Sequence, residues 1–169
     1  AHIALASLYL AQHRFDEAVE STRKAIELAP SHADAYAQSA ATFTTAGLHD
    51  EALENIRIAK RLNPHYSYIY LYVEAMTLFY QKRFEEALPL FQEAVYRNPE
   101  FDRQQLLLAS TLGHLGDLES AEWALIEAIT LSPALSLEKE LEDHPWKKLK
   151  DRELYIEGLQ KAGLGYVLE

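Results

Sequence analysis

Proton transfer and metal binding near neutral pH fall first to histidine, and seven are present, at positions 2, 13, 32, 49, 65, 114 and 144. No two of them stand four residues apart, the spacing that sets two imidazoles on one helix face over a zinc ion. None is flanked by the carboxylates of a metal site. Their places fit turns instead: His32 and His65 follow Pro30 and Pro64, and His13 and His49 stand near helix–helix bends, where exposed imidazoles are expected. Cysteine is absent, which removes thiolate zinc sites, thiol nucleophiles and disulfides. No Ser, Thr or Lys occupies a nucleophile elbow, and six scattered glycines form no phosphate loop. The carboxylate pairs Asp50-Glu51 and Glu85-Glu86 fall at helix starts, where negative charge complements the helix dipole. Glu138, Glu140, Glu142 and Asp143 offer an acidic surface to a basic partner and otherwise read as a solvated helix face. These residues predict no catalytic site, no metal and no cofactor, and a chain that is not itself an enzyme.

Composition narrows the partners. Of the 169 residues, 26 are acidic and 16 basic, giving a formal charge of −10. The basic residues are scattered, so no phosphate-binding surface and no nucleic-acid partner are expected. No apolar run reaches the length of a membrane span, so membrane insertion is not expected either. No signal peptide is legible, and a chain that opens at Ala1 inside a helical pattern is expected of a piece of a longer protein.

The elements that must position any functional side chain show themselves as a repeat. Pro30, Pro64, Pro99 and Pro133 recur at intervals of 34, 35 and 34 residues. Three alanine columns keep the same register: Ala6, Ala40, Ala75 and Ala109; Ala18, Ala52, Ala87 and Ala121; Ala25, Ala59, Ala94 and Ala128. Small residues at fixed places on two successive amphipathic helices let backbones approach, and the proline closes each second helix. The spacing predicts helix pairs near 2–12 and 16–29, 33–45 and 49–62, 67–80 and 84–97, and 101–113 and 118–131. Gly47 and Gly116 mark two of the turns within pairs. The one extra residue falls between Pro64 and Ala75, in the connection or the first turn after it, where an insertion costs least.

A 34-residue period with small-residue columns and a closing proline resembles the tetratricopeptide repeat family, whose pattern ends as Ala87, Phe91, Ala94 and Pro99 do here. The resemblance covers about residues 1–133. It departs from the family at the larger positions: the tryptophan site carries His2, Tyr36, Leu71 and Gln105, and the next leucine site carries Ser39 and Glu74 in the middle repeats. It implies an all-α fold, a right-handed superhelix of antiparallel helix pairs, with repeats at 1–32, 33–67, 68–101 and 102–133. It also implies protein binding along the concave groove lined by the first helix of each pair.

The groove face is uneven. On the fifth helix Leu71, Ala75 and Leu78 take the core side, and Ile69, Tyr72, Val73, Met76 and Tyr80 the opposite one, with Phe79 at its margin. The third helix offers Gln38 and Ala41 on that face, and the seventh offers Arg103, Leu106, Leu107 and Ser110. These residues predict an apolar trough with an aromatic wall, fitting a peptide or helix of a partner protein, the chain's own tail, or the same face of a second copy in a homodimer. The family's clamp for an acidic C-terminal carboxylate is not expected, because its positions carry Ile3, Ser7, Gln38, Ile69 and Val73. Glu74, in the core register, is expected to be partly exposed against a tyrosine or an arginine.

Beyond Pro133 the pattern fails. Residues 134–169 read as a capping helix over 135–142 and a second short helix from an Asp151 cap to Ala162, stopped by Gly163, with Trp146 pinning the link between them. The run Tyr155-Ile156-Glu157-Gly158-Leu159-Gln160-Lys161-Ala162-Gly163-Leu164 resembles the segment that ends repeat regions of bacterial nucleotide-cyclase-type signalling proteins and some winged-helix regulators. Two functions follow: a cytoplasmic protein-binding scaffold, or the regulatory region of a bacterial signalling enzyme or transcription regulator whose chemistry lies in another domain.

Overall fold

The computed structural model describes residues 2–133, 141 and 144–164. Nine helices form among them, and no strand: α1 (His2–Ala11), α2 (Phe15–Leu28), α3 (Ala33–Thr45), α4 (His49–Leu62), α5 (Tyr68–Tyr80), α6 (Phe84–Arg97), α7 (Asp102–Leu115), α8 (Leu118–Leu131) and α9 (Leu149–Lys161). The 135–142 segment, expected as a capping helix, lies largely outside the described residues.

Local chemistry accounts for the helix ends. Ala29, Asn63, Asn98 and Ser132 each precede a repeat proline, whose ring disfavours the helical region for its predecessor. All four caps leave it, at φ between −129° and −146°, while their N–H groups still bond four residues back. Within each pair the turn passes through a left-handed residue, and these too recur with the repeat: His13 (φ 57°), Gly47 (75°), Lys82 (60°) and Gly116 (81°). The extra residue of the third repeat lies in the connection, since α5 starts four positions after Pro64, whereas α3 and α7 start three after Pro30 and Pro99.

Packing follows from the alanine columns. Ala18, Ala40, Ala52, Ala59, Ala75, Ala87, Ala94, Ala109, Ala121 and Ala128 are fully buried. Second helices bury one stripe, such as Ala87, Phe91 and Ala94 of α6, and turn charged residues outward. Burying a phenylalanine such as Phe91 is worth about 1.5–3 kcal/mol. Pro89, inside α6, is exposed, so the carbonyl left without its donor can meet water. The first helices of the last two repeats are covered all round, with ten of the thirteen residues of α5 and ten of the fourteen of α7 buried, whereas α3 buries seven of thirteen and α1, at the end of the stack, only Ala6.

Polar contacts stitch one repeat to the next. Thr44 and Thr77 hydroxyls share a buried hydrogen bond of 2.6 Å, and the Tyr70 hydroxyl donates to Asp34 at 2.7 Å. Burial, and then that bond to Asp34, push the Tyr70 phenol up to about 12. Glu74 is half-buried and paired with Lys60 from α4, not with the tyrosine or arginine expected from the sequence. Lysine reaches it because α4 runs alongside α5 and Lys60 stands in its last turn.

Candidate interaction groove

The first-helix face divides into two parts. Toward the N-terminus it is open. His2 and Ile3 of α1, Leu28 of α2 and Ala35 and Gln38 of α3 line a cleft of about 470 Å³, with His32 at its edge. Gln38 is exposed there, and Ala41, one turn on, is half-buried.

Toward the C-terminus the face is covered by the chain's own tail. The Lys147 N–H donates to the Thr45 carbonyl at 3.2 Å, and the Lys147 ammonium meets Asp16 at 2.5 Å. Lys148 reaches the Gly47 carbonyl. The Trp146 indole donates to the Tyr80 hydroxyl at 2.9 Å, holding the link as the sequence suggested. From there α9 crosses to α7, where Ser110 donates to the Tyr155 carbonyl at 3.1 Å and the His114 Nε2 lies 2.8 Å from the Leu154 carbonyl. At the crossing Gly113 faces Gly158: a Cβ on Gly158 would collide with both the hydroxyl and the carbonyl of Ser110, and one on Gly113 with the Gly158 carbonyl. Two side-chain-free positions therefore set the helix separation.

Each expected groove residue now has a place. Val73, Met76, Leu106 and Leu107 are buried in the shared core, and Ile69 packs partly buried against it. Tyr72 points between repeats, edge-on to Phe101 at 5.0 Å and to Phe91 at 6.3 Å. Phe79 is fully buried beside Phe84 and Tyr80. Tyr80 stacks on His49 at 5.9 Å and receives Trp146; Ser110 and the half-buried Arg103 lie near the tail, the latter by His144. The aromatic wall is thus split, with Tyr72 serving packing between repeats and Tyr80 the tail.

His49 departs from the exposed turn position expected of it, and two further histidines, His114 and His144, also lie at the tail interface. His49 is half-buried, with Nε2 3.1 Å from a carboxylate oxygen of the buried Asp151. His114 stacks flat on Phe84 at 4.6 Å. His144 lies against Trp146 and Tyr155, and burial, followed by the nearby Arg103 charge, pulls it down to about 4. Asp151 is likewise not a cap: α9 begins two residues earlier, and Asp151 turns inward to His49. Sequence reasoning overlooked Gly113, His49, His114 and Lys148 as tail contacts. A glycine inside a helix, as at Gly158 and Gly113, was the available signal, because it costs about 1 kcal/mol unless close packing requires it.

A family model for the tetratricopeptide repeat matches residues 1–32, and a second model of the same repeat matches residues 72–135, together more than half the chain. The chain belongs to the tetratricopeptide repeat family. Among solved structures, the thermophilic tetratricopeptide repeat protein TTC0263 of Thermus thermophilus superposes with a TM-score of 0.68 at 25% identity, over 94% of this chain and 97% of that one. YrrB, a tetratricopeptide repeat protein with an unusual peptide-binding site, superposes with a TM-score of 0.61 at 22% identity, over 95% of this chain and 82% of that one. The small glutamine-rich tetratricopeptide repeat-containing protein 2 of Mycosarcoma maydis is 28% identical over 107 residues, 63% of this chain and 30% of that protein. The chain therefore spans about a third of that relative's length. A tetratricopeptide repeat superhelix is a protein–protein interaction scaffold. Among its described residues no helix is long and apolar enough to cross a membrane, and no three potential metal ligands gather.

Proposed function

We propose that this tetratricopeptide repeat protein binds a peptide or helical segment of a partner protein along its first-helix face and does no chemistry of its own. The observation that carries the reading is that this face already holds a helix: α9 is seated on α7 by main-chain carbonyls bonded to Ser110 and His114 and by a glycine-to-glycine crossing. A surface able to order one helix in this way has the shape and donors to order another. The open end supplies the entry, an apolar cleft of about 470 Å³ between α1, α2 and α3 with Gln38 at its rim. Ile69, Val73, Met76, Leu106 and Leu107 form the apolar floor that fixes the groove, and Ser110 and Arg103 stand at its polar end.

A photo-crosslinking side chain placed at Gln38, and in a second variant at the exposed outer Glu122, tests the reading in cells that make the protein. The same discrete adduct should form repeatedly at Gln38 and be competed by excess unlabelled protein. Equal, diffuse labelling at both positions would overturn a groove-directed partner.

A further inference from the structure

The buried residues of α9 are Asp151, Leu154, Tyr155, Gly158 and Leu159, followed by Ala162, a stripe at i, i+3, i+4, i+7, i+8 and i+11. That is the footprint of an amphipathic helix laid into a groove. Its interface differs from those between repeats. Alanines, Leu and Phe hold the repeats together, whereas the tail adds to its apolar side chains, Leu154, Tyr155, Leu159 and Ala162, which join the shared core, a set of hydrogen bonds and charges: Trp146 to Tyr80, Lys148 to the Gly47 carbonyl, Asp151 beside His49, and the Leu154 and Tyr155 carbonyls at His114 and Ser110. Those polar groups exchange for a competitor's groups at modest net cost, and a helix with the same apolar stripe replaces the buried side chains in kind. The outer side of α9, with Lys150, Glu153, Glu157, Gln160 and Lys161, is exposed.

We infer that residues 144–162 are an internal competitor covering the C-terminal half of the binding groove, and that the partner is a helix repeating the α9 stripe. The inference rests on the groove reading proposed above. Such a helix carries an acidic residue to meet His49, a Leu-Tyr step one turn on, and a glycine at i+7 to pass Gly113 and Ser110. It enters at the open cleft and displaces the tail, so its apparent affinity is reduced by the fraction of molecules in which the tail is docked.

The probe is a labelled synthetic peptide of residues 146–162, titrated into the chain of residues 1–169 by fluorescence anisotropy. In Gly158→Leu the added side chain collides with Ser110, so the tail is released while leucine preserves the helix. This variant should bind the peptide at least tenfold more tightly than the wild type, and a peptide carrying the same Gly158→Leu change should not bind. The reverse arm uses the absence of cysteine in the chain. Thr45→Cys with Lys147→Cys, at two residues whose main chains already hydrogen-bond, should lock the tail when oxidised and abolish peptide binding, with reduction restoring the wild-type value. Equal affinity in the locked, wild-type and released forms would overturn the competitor and leave the groove reading standing. No binding by Gly158→Leu, with Trp146 emission showing the tail released, would remove the groove reading itself. Were Gly158→Leu to lose helix content, the oxidised and reduced forms alone decide. Concentration-dependent dimers of Gly158→Leu without peptide binding would assign the surface to a second copy and overturn the partner helix.

Discussion

At the scale of single residues the repeat imposes the same conformation on unlike side chains. His13 and Lys82 hold the left-handed backbone that Gly47 and Gly116 hold in the other two repeats. For a residue with a Cβ that conformation costs about 1–2 kcal/mol, and glycine removes it at the expense of a looser unfolded chain. Lys82→Gly should therefore raise stability by up to about 1 kcal/mol, read as a higher denaturant midpoint with unchanged slope. Gly47→Ala should lower it, because its Cβ would collide with the Lys148 side chain as well. The alanine columns make the opposite kind of site. Ala94 is fully buried, and Ala94→Leu should cost roughly 1–3 kcal/mol through overpacking, while Glu54→Ala on the exposed face should shift the midpoint little. These positions were legible in the sequence because each constraint recurs at every repeat. His13 and Lys82 were not, since nothing in a histidine or lysine announces a positive φ.

At the scale of elements, the register of α5 and α7 could be read from periodicity, but the target of each face could not. Tyr72 and Tyr80 both lie off the core stripe of α5, yet Tyr72 meets Phe91 and Phe101, and Tyr80 meets His49 and Trp146. The difference arises because the two ends of α5 have different neighbours, which no pattern within α5 encodes. The covering helix was visible as a helix, its stop at Gly163 included, but its docking depends on contacts between residues far apart in sequence, such as Ser110 and Tyr155. Tyr80→Phe isolates one of these contacts. It removes the acceptor of the Trp146 indole and should weaken tail docking by about 1 kcal/mol, seen as a red shift of Trp146 emission in a Trp123→Phe background with helix content unchanged. Tyr72→Phe keeps its ring between repeats and should leave that emission in place.

At the scale of the whole molecule, the superhelix is closed by a tail that carries a proton-dependent residue into its own groove. His144 lies against Trp146 and Tyr155, with the Arg103 charge nearby, and its imidazole is pulled down to about 4. A histidine depressed in the closed form is neutral there, while in a released tail it returns to the ordinary value near 6.5. The released state therefore binds the extra proton, and docking is favoured above pH 6.5 and loses ground as the pH falls toward 4. A shift of this size corresponds to up to about 3 kcal/mol, enough to move a marginally docked tail from mostly closed to mostly open. The other ionisable groups facing this interface are His49 beside Asp151, His114 beside the Leu154 carbonyl, Lys147 against Asp16 and Lys148 against the Gly47 carbonyl. His144→Phe separates the contributions, since it retains an aromatic ring against Trp146 and removes the titrating nitrogen. In the Trp123→Phe background, Trp146 emission should shift to the red between pH 6.5 and 4.5, and His144→Phe should abolish most of that shift while leaving the spectrum at pH 7.5 in place. The same acid-induced change in both proteins would assign the response to His49, His114 or the carboxylates, and a tail that stays docked in both down to pH 4.5 would show that His144 does not govern closure.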